Sequence, residues 1–166
     1  LICLAKGITN GTVPMGAVVM SEEIYQTLMT GPENAIEFFH GYTYSAHPAA
    51  CAAGIATQKI YESEGLFERA ATLEDYFLNA VWTLQDHPLV TDVRGIGLMA
   101  GVELVSDGVA GHRGVQMQKA MFWNGLHVKF TGDNAIIAPA FVAERKHVDE
   151  IVDKFRSSLD AALEAK

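Results

Sequence analysis

Cysteine is nearly absent: the 166 residues hold two, Cys3 and Cys51, and neither belongs to a Cys-x-x-Cys pair. That excludes a disulfide framework and a thiolate metal site, and it makes a reducing cytoplasm the expected location. Long apolar runs are also missing, so no membrane partner is expected. Basic charge is in deficit, with 12 Lys and Arg against 20 Asp and Glu and a formal charge of -8. Such a balance argues against a nucleic-acid groove and an anionic membrane surface. No internal repeat or low-complexity stretch appears.

What is present is an ordinary globular mixture, 49% apolar and 19% charged. The opening run from Leu1 to Ala5 reads as a buried parallel strand, which needs neighbours on both edges and cover on both faces. With no initiator methionine ahead of it, the chain is expected to be a piece of a longer protein. A second buried strand is expected over Met15 to Met20. Ser21 is the expected N-cap of a short helix running to about Met29. The stretch from Phe38 to His47 has neither helical nor alternating pattern and reads as an ordered loop. Pro48 then suits the first position of a helix. That helix is poor in bulk (Ala49, Ala50, Ala52, Ala53, Gly54), which lets another backbone approach closely.

Beyond Gly65 the pattern changes. Leu66 to Leu84 is an amphipathic helix. Val90 to Leu104 reads as two strands meeting at a tight or bulged bend. A loop over Ser106 to Gly114 precedes a helix over Val115 to Trp123. Leu126 to Phe130 and Ala135 to Ala138 are short strands joined through residues 131–134, and a terminal helix carries the stripe Val148, Ile151, Val152, Phe155, Leu159 and Ala162. Residues 1–63 therefore read as the edge of an α/β layer, and 64–166 as an open antiparallel α+β unit.

Two features suggest chemistry. Lys6 directly follows a strand, where ligands of open α/β sheets sit, and a lysine there can be partly desolvated into a nucleophile. Alternatively it snorkels to solvent. The loop Gly41-Tyr42-Thr43-Tyr44-Ser45-Ala46-His47, running into a helix N-terminus, suits an anion. Alternatively its hydroxyls satisfy its own backbone.

Taken together, Ala5-Lys6-Gly7-Ile8-Thr9-Asn10-Gly11, Pro14-Met15-Gly16-Ala17, His40 through Pro48, Cys51-Ala52-Ala53, Arg94-Gly95-x-Gly97-Leu98 and Thr131-Gly132-Asp133 through Ala138-Pro139 resemble class III aminotransferases. The match points to the omega-amino acid:pyruvate (β-alanine:pyruvate) branch and its taurine:pyruvate relatives. The resemblance implies fold type I of the pyridoxal-phosphate enzymes, with 1–63 ending the large domain and 64–166 forming the small one. It implies transfer of an amino group from an omega-amine or omega-amino acid to pyruvate or a related 2-oxo acid. It also implies Lys6 as the Schiff-base lysine and proton shuttle. Thr43 would bind the cofactor phosphate of the neighbouring subunit, Tyr42 would line that pocket, and the protein would be a homodimer. His40, Tyr44 and His47 would hold the loop in shape. Where the β-alanine:pyruvate branch has an arginine for the substrate carboxylate, this chain has Lys129, which keeps the charge but not the bidentate fork. Arg94, Glu103 and Glu144 are expected to be structural or solvated, the acids on helix faces. The family's groups for the pyridine nitrogen, the ring face and most of the phosphate precede the lysine and are not among these residues. The isolated chain is therefore expected to be inactive. A non-catalytic module, or another fold type I reaction, are the alternatives.

Overall fold

The computed structural model describes residues 1–34, 38 and 40–164. Phe39, part of the expected loop, lies outside the described residues. The chain divides into two compact units, Leu1–Gly65 and Leu66–Lys166.

In the first unit, β1 (Ile2–Ala5) pairs antiparallel with β2 (Gly16–Val19) in a two-stranded ribbon, Ile2 opposite Val19 and Ala5 opposite Gly16. The expectation of a parallel strand is corrected here, since the partner within this chain, β2, runs antiparallel. The whole of β1 is exposed, with Leu1, Ile2, Val18 and Val19 open to solvent. A ribbon of two strands has no second layer to cover its faces, whatever its composition. The helix α1 (Glu22–Leu28) follows Ser21, whose side chain makes no capping hydrogen bond. Pro48 opens α2 (Pro48–Ser63), and Gly65 follows with a left-handed φ of 57°. The small residues of α2 do admit another backbone: a Cβ on Gly54 would lie 3.7 Å from the Ile8 carbonyl oxygen and 3.4 Å from Met15 Sδ.

The second unit holds nearly all of the buried apolar side chains. Its α3 (Leu66–Trp82) tightens into a 3-10 turn over Thr83–Asp86. Strands β3 (Val90–Ile96), β4 (Met99–Leu104), β5 (Lys129–Thr131) and β6 (Asn134–Ile137) form an antiparallel sheet in the order β3-β4-β6-β5. The chain bulges at Val90/Asp92 and turns tightly at Gly97. One sheet face carries Val93, Ala100, Val102, Ala135 and Ile137 into a core shared with α3, α4 (His112–Trp123) and α5 (Arg145–Glu164). Phe77 and Phe155 are fully buried there, each contributing about 1.5–3 kcal/mol by area. His87 is buried too; its Nδ1 accepts the Leu89 N–H at 3.1 Å while Nε2 faces Asp160 at 3.2 Å. Leu126 and Val128 were expected in a strand; they pack into the core ahead of β5 instead. Among the described residues no helix is long and apolar enough to cross a membrane.

Candidate active site

Lys6 sits where β1 ends and a single 3-10 turn, Lys6–Ile8, begins. Its φ is +54°, a left-handed conformation that costs a non-glycine residue roughly 1–3 kcal/mol and persists only where surroundings enforce it. The enforcement can be traced. The Lys6 carbonyl accepts from Thr9 and Gly11 N–H, both at 3.3 Å. Thr9 is buried, and its hydroxyl donates to the Val13 carbonyl at 2.7 Å. From α2, the Tyr61 hydroxyl donates to the Gly7 carbonyl at 2.7 Å and Gln58 reaches the Ile8 carbonyl at 3.5 Å. These pinning residues escaped the sequence reading. The signal was there: Gly54, Gln58 and Tyr61 stand at i, i+4 and i+7, one face of a helix. Lys6 itself is exposed, so residues 1–65 do not supply the desolvation expected for it. Its amine has no hydrogen-bond or ion-pair partner among the described residues.

The loop ahead of α2 walls an open hollow of about 1050 Å³ together with residues 13–16 and the first turn of the helix, Ala50 and Cys51. Its main chain closes its own turns: Ser45 N–H donates to Tyr42 at 2.9 Å and His47 N–H to Tyr44 at 3.2 Å. The side-chain hydroxyls of Tyr42, Thr43, Tyr44 and Ser45 make no hydrogen bond among the described residues, and Tyr42 and Tyr44 are largely exposed. Among the described residues, those hydroxyls do not satisfy the loop's own backbone. Of the three residues expected to hold the loop, His40 does so, with Nδ1 2.8 Å from the Phe38 carbonyl oxygen. Tyr44 and His47 make no side-chain hydrogen bond among the described residues. Free hydroxyls beside the unpaired first-turn amides of a 16-residue helix are a donor set suited to phosphate. The phosphate end of a pyridoxal-type cofactor fits this chemistry. Lys6 does not line that hollow.

Lys129 begins β5 in the other unit. The register Arg94, Gly101, Ile136, Lys129 runs across the sheet on the face away from the core. At one end Arg94 is neutralised, donating to Asp92 at 2.6 Å and Glu103 at 3.1 Å; Asp92 first, then Glu103, raise its pKa. Glu103 thus lies on a strand and pairs with Arg94, rather than on a solvated helix face. Glu144 sits just before α5 and pairs with Lys146 at 2.8 Å. Lys129, at the other end of the row, is exposed and without a partner among the described residues.

A family model of aminotransferase class-III matches residues 1–159. The chain is 46% identical over 160 residues to an omega-aminotransferase of Caulobacter vibrioides, covering 96% of this chain and 36% of that protein. It is 39% identical over 167 residues to an omega-amino acid--pyruvate aminotransferase of Pseudomonas putida, covering 99% and 37%. A thermostable (S)-enantioselective omega-transaminase from Thermomicrobium roseum superposes with a TM-score of 0.87 at 35% identity, over 97% of this chain and 37% of that one. The chain belongs to the class III aminotransferases, whose cofactor is pyridoxal 5'-phosphate and whose fold is type I of that cofactor's enzymes. It spans little more than a third of the length of these relatives.

Proposed function

We propose that this chain is the C-terminal part of a pyridoxal-phosphate-dependent transaminase. The enzyme would move an amino group from an omega-amine or omega-amino acid to pyruvate or a related 2-oxo acid. The observation that carries the reading is the Lys6 backbone: a left-handed lysine with an unpaired amine, pinned through the adjoining residues by Tyr61 and Gln58. The cofactor, when bound, supplies an electron sink for the carbon that loses or gains the amino group. Lys6 is the covalent anchor, and its Nζ then takes and returns the proton at that carbon. Lys129 holds the acid group of the donor as a point charge. Residues 1–63 end the large domain and 64–166 form the small one, in a cytoplasmic homodimer. The first test is chemical. Borohydride reduction of the holoenzyme should fix the cofactor to the peptide containing Lys6. A label on any other peptide counts against the assignment.

Thr43 and Tyr42 serve the cofactor of the partner subunit. Their separation from Lys6 supports that division, since the hollow they line does not include Lys6. Thr43→Ala is expected to weaken cofactor retention by roughly 1.5–3 kcal/mol, the worth of one hydrogen bond to a charged group. Equilibrium dialysis of the cofactor measures it. Affinity that is unchanged, or undiminished in a monomeric enzyme, removes Thr43 from the shared site.

A further inference from the structure

We propose that Asp133 is the positioning residue for Lys129, acting by clasping the β5–β6 hairpin to the first turn of α4. The proposal rests on the reading of Lys129 as partner of the donor's acid group. The sequence around α4 offers no local cap: the N-cap is Gly111, at φ 73°, with no side chain to accept a hydrogen bond. Asp133 supplies it from 19 and 22 residues away. Its Oδ1 accepts the Gly114 N–H at 2.8 Å and its Oδ2 the Gly111 N–H at 3.3 Å. A carboxylate at a helix N-terminus is also favoured by the helix dipole. The backbone of Asp133 is held as well, its carbonyl accepting the Leu104 N–H at 3.0 Å.

Val128 and Phe130 on either side of Lys129 pack on the core, but the sheet holds the lysine's strand from one side only, and the clasp sets the turn that places it. Lys129 lies on a three-residue strand at the sheet edge, hydrogen-bonded to β6 alone, with Ile136 opposite. The turn that sets the register of that pair is Gly132-Asp133. Asp133 is also the one acid within residues 129–137. Its two oxygens face the helix amides, and it makes no ion pair with Lys129 among the described residues. The clasp thus fixes where the Lys129 strand stands and leaves the lysine charge available.

The full-length holoenzyme carrying Asp133→Asn tests this beside Lys129→Met, with β-alanine as donor and propionate as a carboxylate lacking the amine. Asp133→Asn should raise the β-alanine KM and the propionate inhibition constant together, by about fivefold to tenfold, with kcat within about twofold. Amide exchange at Gly114 should quicken in the same variant. Unchanged KM and inhibition constant, whether or not Gly114 exchange quickens, would overturn the positioning role. If Lys129→Met itself leaves both constants unchanged, the reading beneath the proposal falls, a result distinct from failure of Asp133 alone. Should Asp133→Asn not fold, Asp133→Glu keeps the charge on a longer arm and should show the same change in KM and inhibition constant, smaller in size.

Discussion

In the full-length holoenzyme, Lys6→Ala is expected to abolish steady-state transamination while leaving the fold in place. The loss should reach at least roughly 10²–10⁴-fold, the range supplied by a positioned proton-transfer group alone, before loss of the covalent anchor is counted. The usual difficulty with such a variant is that inactivity can mean misfolding. Here the backbone separates the two. Alanine at φ +54° bears the same left-handed strain as lysine, so removing the side chain neither relieves nor adds to it. The bonds that hold the turn run from the Lys6, Gly7 and Ile8 carbonyls, and the substitution keeps all of them. Lys6→Gly carries the comparison further. Glycine takes this conformation freely, and the gain is partly offset by its greater freedom in the unfolded chain. It should therefore be at least as stable as the native chain, and as inactive as Lys6→Ala. Melting curves and turnover on the three full-length holoenzymes decide it. Near-normal turnover in Lys6→Ala ends the assignment. A Lys6→Gly protein markedly less stable than native shows that the lysine side chain, rather than function, justifies the strained turn.

How much of this was legible in the sequence depended on where each segment finds its partners. The stripes of α3 and α5 bury against their own unit, so the amphipathic pattern of Leu66 to Leu84 and the stripe Val148, Phe155 and Leu159 stood out by spacing alone. The β3–β4 hairpin was equally plain, because its turn is made locally at Gly97. Partners distant in sequence were harder. Helix α4 was expected from Val115, yet it starts at His112, because Asp133 caps it from the far hairpin. β1 was read as buried and parallel from its composition, yet within this chain it pairs antiparallel with β2 and is exposed. Composition reports what a strand can bury, not which strand lies beside it. At the candidate site, Lys6, Tyr42, Thr43 and Lys129 came from motif strings. Gln58 and Tyr61, which pin the segment around Lys6, did not, since a lone polar residue on an alanine-rich helix has several ordinary explanations; Thr9 stood within a string, but its bond to Val13 was not foreseen.

Gly114→Ala is expected to destabilise the second unit, against the direction that helix propensity gives. Gly114 lies in the first turn of α4, and exchanging an exposed helical glycine for alanine ordinarily stabilises by up to about 1 kcal/mol. This glycine is buried, however, and it faces backbone. A Cβ built on it overlaps the Gly132 carbonyl oxygen outright, and it stands 3.0 Å from the Gly132 carbonyl carbon and 3.2 Å from Asp133 Cα. None of these atoms is the free end of a side chain that could swing aside. Either the hairpin turn retreats or the start of α4 does, and the Asp133 hydrogen bonds to Gly111 and Gly114 lengthen in both cases. Overpacking of this kind costs about 1–3 kcal/mol, occasionally more, and a weakened helix cap adds about 1 kcal/mol. Set against the propensity gain, the net loss should be about 2 kcal/mol, or roughly 10 °C in the melting temperature of a unit this size. Calorimetry on the two proteins measures it, and amide exchange locates it. Faster exchange should concentrate at the α4 first turn and at residues 131–134, leaving the α3–α5 core around Phe77 and Phe155 protected. A melting temperature that rises instead would mean that the Gly114–Gly132 approach is slack, and that the helix start and the hairpin are not held together as described.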